Sequence, residues 1–225
     1  MTTLSCADLR EVRGAAYRAD RDAVRRLLVG ADPRNLLQHA GDALLAVGVD
    51  GLEDAARTVV QGLRARDWPG DEELAAALDA RLGGPAPALR RLPVDLDEVG
   101  VLLGGTGGWL DLRTGSTWPA ELWDDLGNDE HPDLEDDPDR WLHAPEEGAG
   151  ERWRDRRDFA GDLPSGALRD RLLDARGAFR RFSRELDGND DLLAAWRAYG
   201  DERVRGRARA LLADAGLLAL PPDPG

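Results

Sequence analysis

The sequence predicts an α+β protein: an N-terminal all-helical domain followed by a small antiparallel sheet with C-terminal helices. Three observations carry this reading. Apolar residues recur at helical spacing from Ala7 to Leu82. The stretch Gly83-Gly84-Pro85-Ala86-Pro87 then ends that pattern, because two glycines and two prolines so close together break any regular element. Beyond it the period shortens to alternation around a Gly-containing turn, and after residue 151 the helical spacing returns. The expected layout is a helical domain over 1–83, a linker over 84–91 and an α+β domain over 92–225 with an acidic loop at 124–139.

The elements follow in order. Leu9, Val12, Ala16, Ala23, Leu27 and Leu28 set a helix over Ala7–Val29. Asp32 as N-cap with Pro33 in the first turn starts a second helix running to Val47. Asp50 with Glu53 three positions on resembles a capping box and opens a third helix to Arg66. Trp68-Pro69-Gly70 interrupts the chain. Asp71, Glu72 and Glu73 then place anions at the positive end of a fourth helix to Leu82. Four short helices with short links suggest a bundle or two helical hairpins.

The apolar run Val99–Leu103 leads into the glycine cluster 104–108 and falls where the period shortens. Trp109–Leu112, a turn at Arg113-Thr114-Gly115 and Ser116–Pro119 read as a β-hairpin. Arg140–Pro145 reads as a third short strand, and everything past 151 reads as helix. Leu168, Leu172, Ala175, Phe179, Phe182 and Leu186 step 4, 3, 4, 3, 4 and define one buried stripe. Asn189 caps a last helix whose apolar side holds Leu192, Leu193, Trp196 and Tyr199, and which Gly216 closes.

Composition narrows the function. The chain contains no Lys, so Schiff-base, P-loop and kinase-type lysine chemistry is excluded. One cysteine, Cys6, rules out an internal disulfide framework and a Cys-rich zinc site. No apolar run approaches the ~20 residues of a membrane helix. The start, Met1-Thr2-Thr3-Leu4-Ser5, lacks the basic and apolar regions of a signal peptide, and a cytoplasmic location is expected.

The formal charge of −14 is unevenly distributed. Residues 1–91 carry 13 Arg and 14 acids, residues 92–150 carry 2 Arg and 16 acids, and residues 151–225 carry 15 Arg and 14 acids. The middle third therefore holds the whole imbalance. Its densest part, Asp124–Asp139, has nine acids in sixteen positions and reads as a solvated loop, since such a run repels itself. Divalent-metal binding and attraction of a basic partner are its functional alternatives.

Candidate motifs for chemistry are weak. Gly104-Gly105-Thr106-Gly107-Gly108 precedes a strand-like alternation rather than a helix, so a dinucleotide loop is excluded by context. Asp187-Gly188-Asn189-Asp190-Asp191 has Leu192 where a calcium loop needs glycine, and helix capping explains it better. His131 lies among carboxylates without a repeating ligand spacing. No Ser sits in a nucleophile elbow. No catalytic residue, metal ligand or cofactor is assigned.

The basic C-terminal segment supplies the binding candidates. Arg176, Arg180 and Arg184 step by four and share a helix face, with Arg181 one position round. Guanidinium groups so placed can present forked donors to carboxylate or phosphate. Ion pairing with Asp170, Asp174, Glu185 or the acidic loop is the bland alternative. Docking of that loop on the Arg face gives an autoinhibition hypothesis, testable by deleting residues 126–138.

The segment Gly177-Ala178-Phe179-Arg180-Arg181-Phe182, followed by Trp196, Tyr199 and a final helix, is similar to uncharacterised bacterial protein family one-five-eight. The hairpin Trp109–Gly115, the acidic middle and a strand like Trp141-Leu142 extend the resemblance over residues 94–216. Ser183-Arg184 departs from the Lys-Asp often present in that family, which leaves those two positions without an implied role. The resemblance implies an α+β domain and no particular reaction.

The function expected from the sequence is a non-enzymatic binding or regulatory module. It engages a macromolecular partner, a protein in preference to nucleic acid, through Arg176, Arg180, Arg181 and Arg184. A metal-dependent phosphoester hydrolase using loop carboxylates and an acidic nucleic-acid mimic are the alternatives. No membrane association is expected, and the oligomeric state is open.

Overall fold

The structure, a computed structural model, describes residues 2–123, 134, 137–164, 166–174 and 179–220. It is α+β, with a helical N-terminus, a small antiparallel sheet and C-terminal helices. Most of the acidic run 124–139 lies outside the described residues, and so does the hypothesis that it covers an Arg face.

Five helices make up the first part: α1 (Cys6–Tyr17), α2 (Arg21–Leu28), α3 (Leu37–Val47), α4 (Glu53–Arg66) and α5 (Asp71–Arg81). The helix expected over Ala7–Val29 is therefore two helices. Ala19 adopts φ 47, and Asp20 then caps α2 by accepting a hydrogen bond from the Ala23 backbone N–H. A local cap outweighs a continuous apolar period at this point. The helix expected at Asp32-Pro33 begins instead at Leu37. Asp32 lies in the short strand β2 (Ala31–Asp32), which pairs parallel with β1 (Thr2–Thr3). Its carboxylate accepts from the Arg34 backbone N–H, an Asx turn rather than a helix cap. The capping box expected from Asp50 and Glu53 does not form: Leu52 stands at the N-cap without a side-chain hydrogen bond, and Glu53, now the first helical residue, accepts from the Gly51 backbone N–H at 2.9 Å.

After the Gly/Pro break, β3 (Arg90–Pro93) begins at the end of the expected linker and is followed by α6 (Leu96–Gly104). The run Val99–Leu103, which falls in the short-period region, is thus helical. Asp95 caps it by accepting from the Asp97 backbone N–H, and Val99, Leu102 and Leu103 form its buried side. The expected hairpin is present as β4 (Gly108–Asp111) and β5 (Thr117–Pro119), paired antiparallel with Trp109 opposite Trp118. The expected third strand is β6 (Trp141–Ala144), on the other edge of β4 with Trp109 opposite His143.

The C-terminal third forms α7 (Ala149–Asp162), α8 (Ala167–Asp174), α9 (Phe179–Leu186) and α10 (Asp190–Asp214), then β7 (Leu217–Leu220). The last helix ends before Gly216 as expected, and the residues beyond it form a strand the sequence reading did not assign, β7, which pairs parallel with β3, Leu217 opposite Arg90. Asn189 caps α10 as expected, accepting from the Leu192 backbone N–H at 3.0 Å. Asp190 and Asp191 add favourable charge in its first turn.

At 25 residues α10 spans about 37 Å and organises the fold. Its Ala198 joins the core built by α1–α5. Its Ala208 and Leu212 join a second core with α6, β3, β4, β6 and β7. Its Leu192, Trp196 and Tyr199 pack with Phe159, Leu172, Phe182 and Leu186 of α7–α9 in a third. A helix touched on all sides cannot have one apolar stripe, and its buried residues are accordingly mixed in polarity.

Candidate functional site

The charged residues of α10 decide what the molecule can offer a partner. The sequence Asp201–Arg209 places arginines at 203, 205, 207 and 209. On a helix, positions two apart lie about 200° apart in projection, so the four divide into two opposed pairs. Arg205 and Arg209 turn to α3, where both donate to Asp42, Arg209 at 2.6 Å. Arg203 and Arg207 turn to α7, where both donate to Asp155, Arg203 at 2.8 Å, and Arg207 also reaches Glu147 just before that helix. Arg205 also pairs with Asp97 of α6, which Arg13 of α1 meets from the other side.

Glu202, 1% exposed, sits between these pairs. α3 starts without a capping side chain of its own, leaving its first backbone N–H groups unsatisfied. Glu202 supplies the cap from the opposite end of the chain: its carboxylate accepts from the Gln38 N–H at 2.9 Å and the His39 N–H at 3.1 Å. The His39 ring (Nδ1, 2.7 Å) and the Arg66 guanidinium (2.9 Å) complete its partners. Burial raises the Glu202 carboxyl, but the hydrogen bond and charge of His39, the Arg66 charge and the Gln38 amide outweigh it and hold it at about 2. Burial likewise raises Asp42, and the charges of Arg209 and Arg205 bring it down to about 2.

The same cluster fixes the turn after α4. Asp71, the first residue of α5, accepts from Arg66, from the Trp68 N–H at 3.0 Å and from the Gln38 side chain at 2.8 Å. Gln38 in turn accepts from Arg209 at 3.1 Å. Arg66 and Arg203 stand over the Trp68 ring at 4.1 and 4.6 Å from its centroid. Backbone meets backbone here: a Cβ on Gly70 would fall 2.1 Å from the Gly206 oxygen, and one on Gly206 would fall 2.4 Å from the Pro69 oxygen.

Of the sequence-selected arginines, Arg184 is the one whose side chain is described, and it stands apart from this cluster. Arg176 lies outside the described residues, as do the side chains of Arg180 and Arg181. Arg184 is exposed on α9 and makes no ion pair among the described residues. Glu185 beside it pairs with Arg171 of α8 at 2.8 Å. Phe182 and Trp196 face the core as expected, with ring centroids 5.0 Å apart.

Next to the third core an open cleft of about 530 Å³ is walled by α7 and α8, with Trp68 and Tyr199 also lining it. Arg157, Asp158, Asp162 and Arg169 supply its charges. Among the described residues no group of three or more His, Cys, Asp or Glu side chains is arranged to hold a metal ion. No helix among them is long and apolar enough to cross a membrane.

Reading the sequence alone misses Glu202, His39, Asp42 and Asp155. The visible signal was the alternation of arginines with Gly206 in its midst, which only a helix enclosed on opposite sides can use. Comparison with protein-family models, curated proteins and solved structures finds no match for this chain.

Proposed function

We propose that the protein is a non-enzymatic binding or regulatory module that meets a protein partner through the outer surface of its C-terminal helices. The observation that carries this is the division of its arginines. Those of α10 at 203, 205, 207 and 209 are matched by carboxylates inside the fold. Arg184 on α9 and Arg157 on α7 face solvent, Arg184 without a carboxylate among the described residues and Arg157 with Asp158 only, at 3.7 Å. Exposed guanidinium groups on a braced helical scaffold suit recognition of carboxylates, with little cost in ordering the scaffold. Arg176, Arg180 and Arg181, selected from the sequence with Arg184, belong to the same proposal. The resemblance to family one-five-eight adds no reaction to this reading.

The test is affinity capture by the intact chain and by Arg184→Glu, with bound protein identified by mass spectrometry and bound nucleic acid sequenced. The reading expects a specific protein held by the parent and lost by the variant, whose thermal stability is unchanged. Retention of the same proteins by both would contradict it. A thermal shift with magnesium or manganese, reversed by chelator, would favour the hydrolase alternative. Steeply salt-dependent capture of basic proteins would favour the acidic mimic.

A further inference from the structure

The cleft between α7 and α8 has a chemistry distinct from the surface around Arg184. Residues 157, 158, 161 and 162 form one face of α7, since they lie one turn apart in pairs, and Arg169 faces them from α8. Neither Arg169 nor Asp162 makes an ion pair among the described residues. The cleft thus presents two guanidinium groups and two carboxylates whose only mutual pairing among the described residues is the 3.7 Å contact between neighbours Arg157 and Asp158. Its aromatic side is fixed: the Tyr199 ring meets Trp68 edge-on at 5.2 Å and Phe159 at 5.3 Å. The Tyr199 hydroxyl is buried and has no hydrogen-bond partner among the described residues. Desolvation raises this phenol to about 12, so it is a proton donor at neutral pH.

Gly161 completes the arrangement. A Cβ built there meets nothing within 4 Å, so the helix wall opens directly onto the cavity. The volume lies within the range of about 300–1,000 Å³ that small-molecule sites occupy.

We propose that this cleft is a binding site for a small zwitterionic aromatic molecule, of the chemical class of the aromatic amino acids. Its carboxylate pairs with Arg157 and Arg169, its ammonium with Asp158 and Asp162, and its ring lies against Trp68 and Tyr199. A simple anion such as a nucleotide phosphate fits less well, because the two aspartates repel it. A simple cation meets the same objection from the two arginines. The proposal goes beyond partner binding by the helical surface, with which the cleft shares Arg157, and stands without it, since a small molecule in the cleft requires no macromolecule.

The experiment is isothermal titration of the intact protein with L-tryptophan and L-phenylalanine, and in parallel with indole-3-propionate, tryptamine and AMP. Indole-3-propionate lacks the ammonium and tryptamine lacks the carboxylate. At least one amino acid is expected to bind with a Kd of about 1 mM or tighter, with each single-charge analogue about tenfold weaker. Gly161→Leu fills the cleft from an open position and is expected to abolish binding while the melting temperature holds. No heat with either amino acid, equal affinity for the single-charge analogues, preference for AMP, or unchanged binding in a folded Gly161→Leu protein would each overturn the proposal.

Discussion

Glu202 and Asp42 are buried carboxylates: cations and the α3 amides surround Glu202, and two guanidinium groups pair with Asp42. Their folded-state values near 2 lie below the ordinary 4.5 and 3.8. Both therefore ionise more readily folded than unfolded, so their contribution is complete above about pH 5 and lost as pH falls toward 2. On this basis each contributes on the order of 2–4 kcal/mol, Glu202 more than Asp42. Urea unfolding across pH should show stability level from 7 to 5 and falling steeply below 4. Glu202→Gln removes the carboxylate from the His39 ring and the α3 amides and leaves Arg66 with Asp71 alone, and should cost about 3–5 kcal/mol at pH 7 while flattening the acid slope. A variant as stable as the parent would show that this carboxylate does not hold the helices together. None of this was legible at residue scale in the sequence. Glu202 looks like any acid in a charged helix until Gln38 and His39, from the other end of the chain, are brought beside it.

Among the elements, those defined by local chemistry were legible and those defined by distant partners were not. The α10 cap at Asn189, the hairpin of β4 and β5, and α5 behind its three acids each follow from neighbouring residues. The start of α3 did not follow, because its cap comes from α10 rather than from Asp32. β7 was missed because Leu217–Leu220 is a short apolar run whose partner, β3, lies far back in the chain. Of the candidate site, the surface position of Arg184 was legible, while the cleft was not, since three helices and the turn before α5 line it. The contact of α10 with the turn before α5 gives an element-scale prediction. Gly206→Ala raises helix propensity yet pushes a methyl into the Pro69 oxygen. The steric cost should win, with a net loss of about 1–3 kcal/mol in chemical denaturation. A stabilised variant would mean the turn can retreat freely from the helix.

For the whole molecule, the charge asymmetry visible in the sequence conceals a second asymmetry visible only in three dimensions. Arginines of the segment 151–225 divide between a buried brace and an outer surface, although composition counts them alike. α10 places one helix in three cores, so the N-terminal helices and the sheet should lose protection together when the brace is weakened. The most direct measurement is hydrogen exchange, followed peptide by peptide, in Arg209→Met and Arg184→Glu. Arg209 is 1% exposed and links α3 to α10, whereas Arg184 is exposed on α9. The account predicts faster exchange in Arg209→Met across α3 and across β4–β6 alike, with Arg184→Glu matching the parent throughout. Faster exchange confined to the neighbourhood of position 209, or equal loss of protection in both variants, would contradict it.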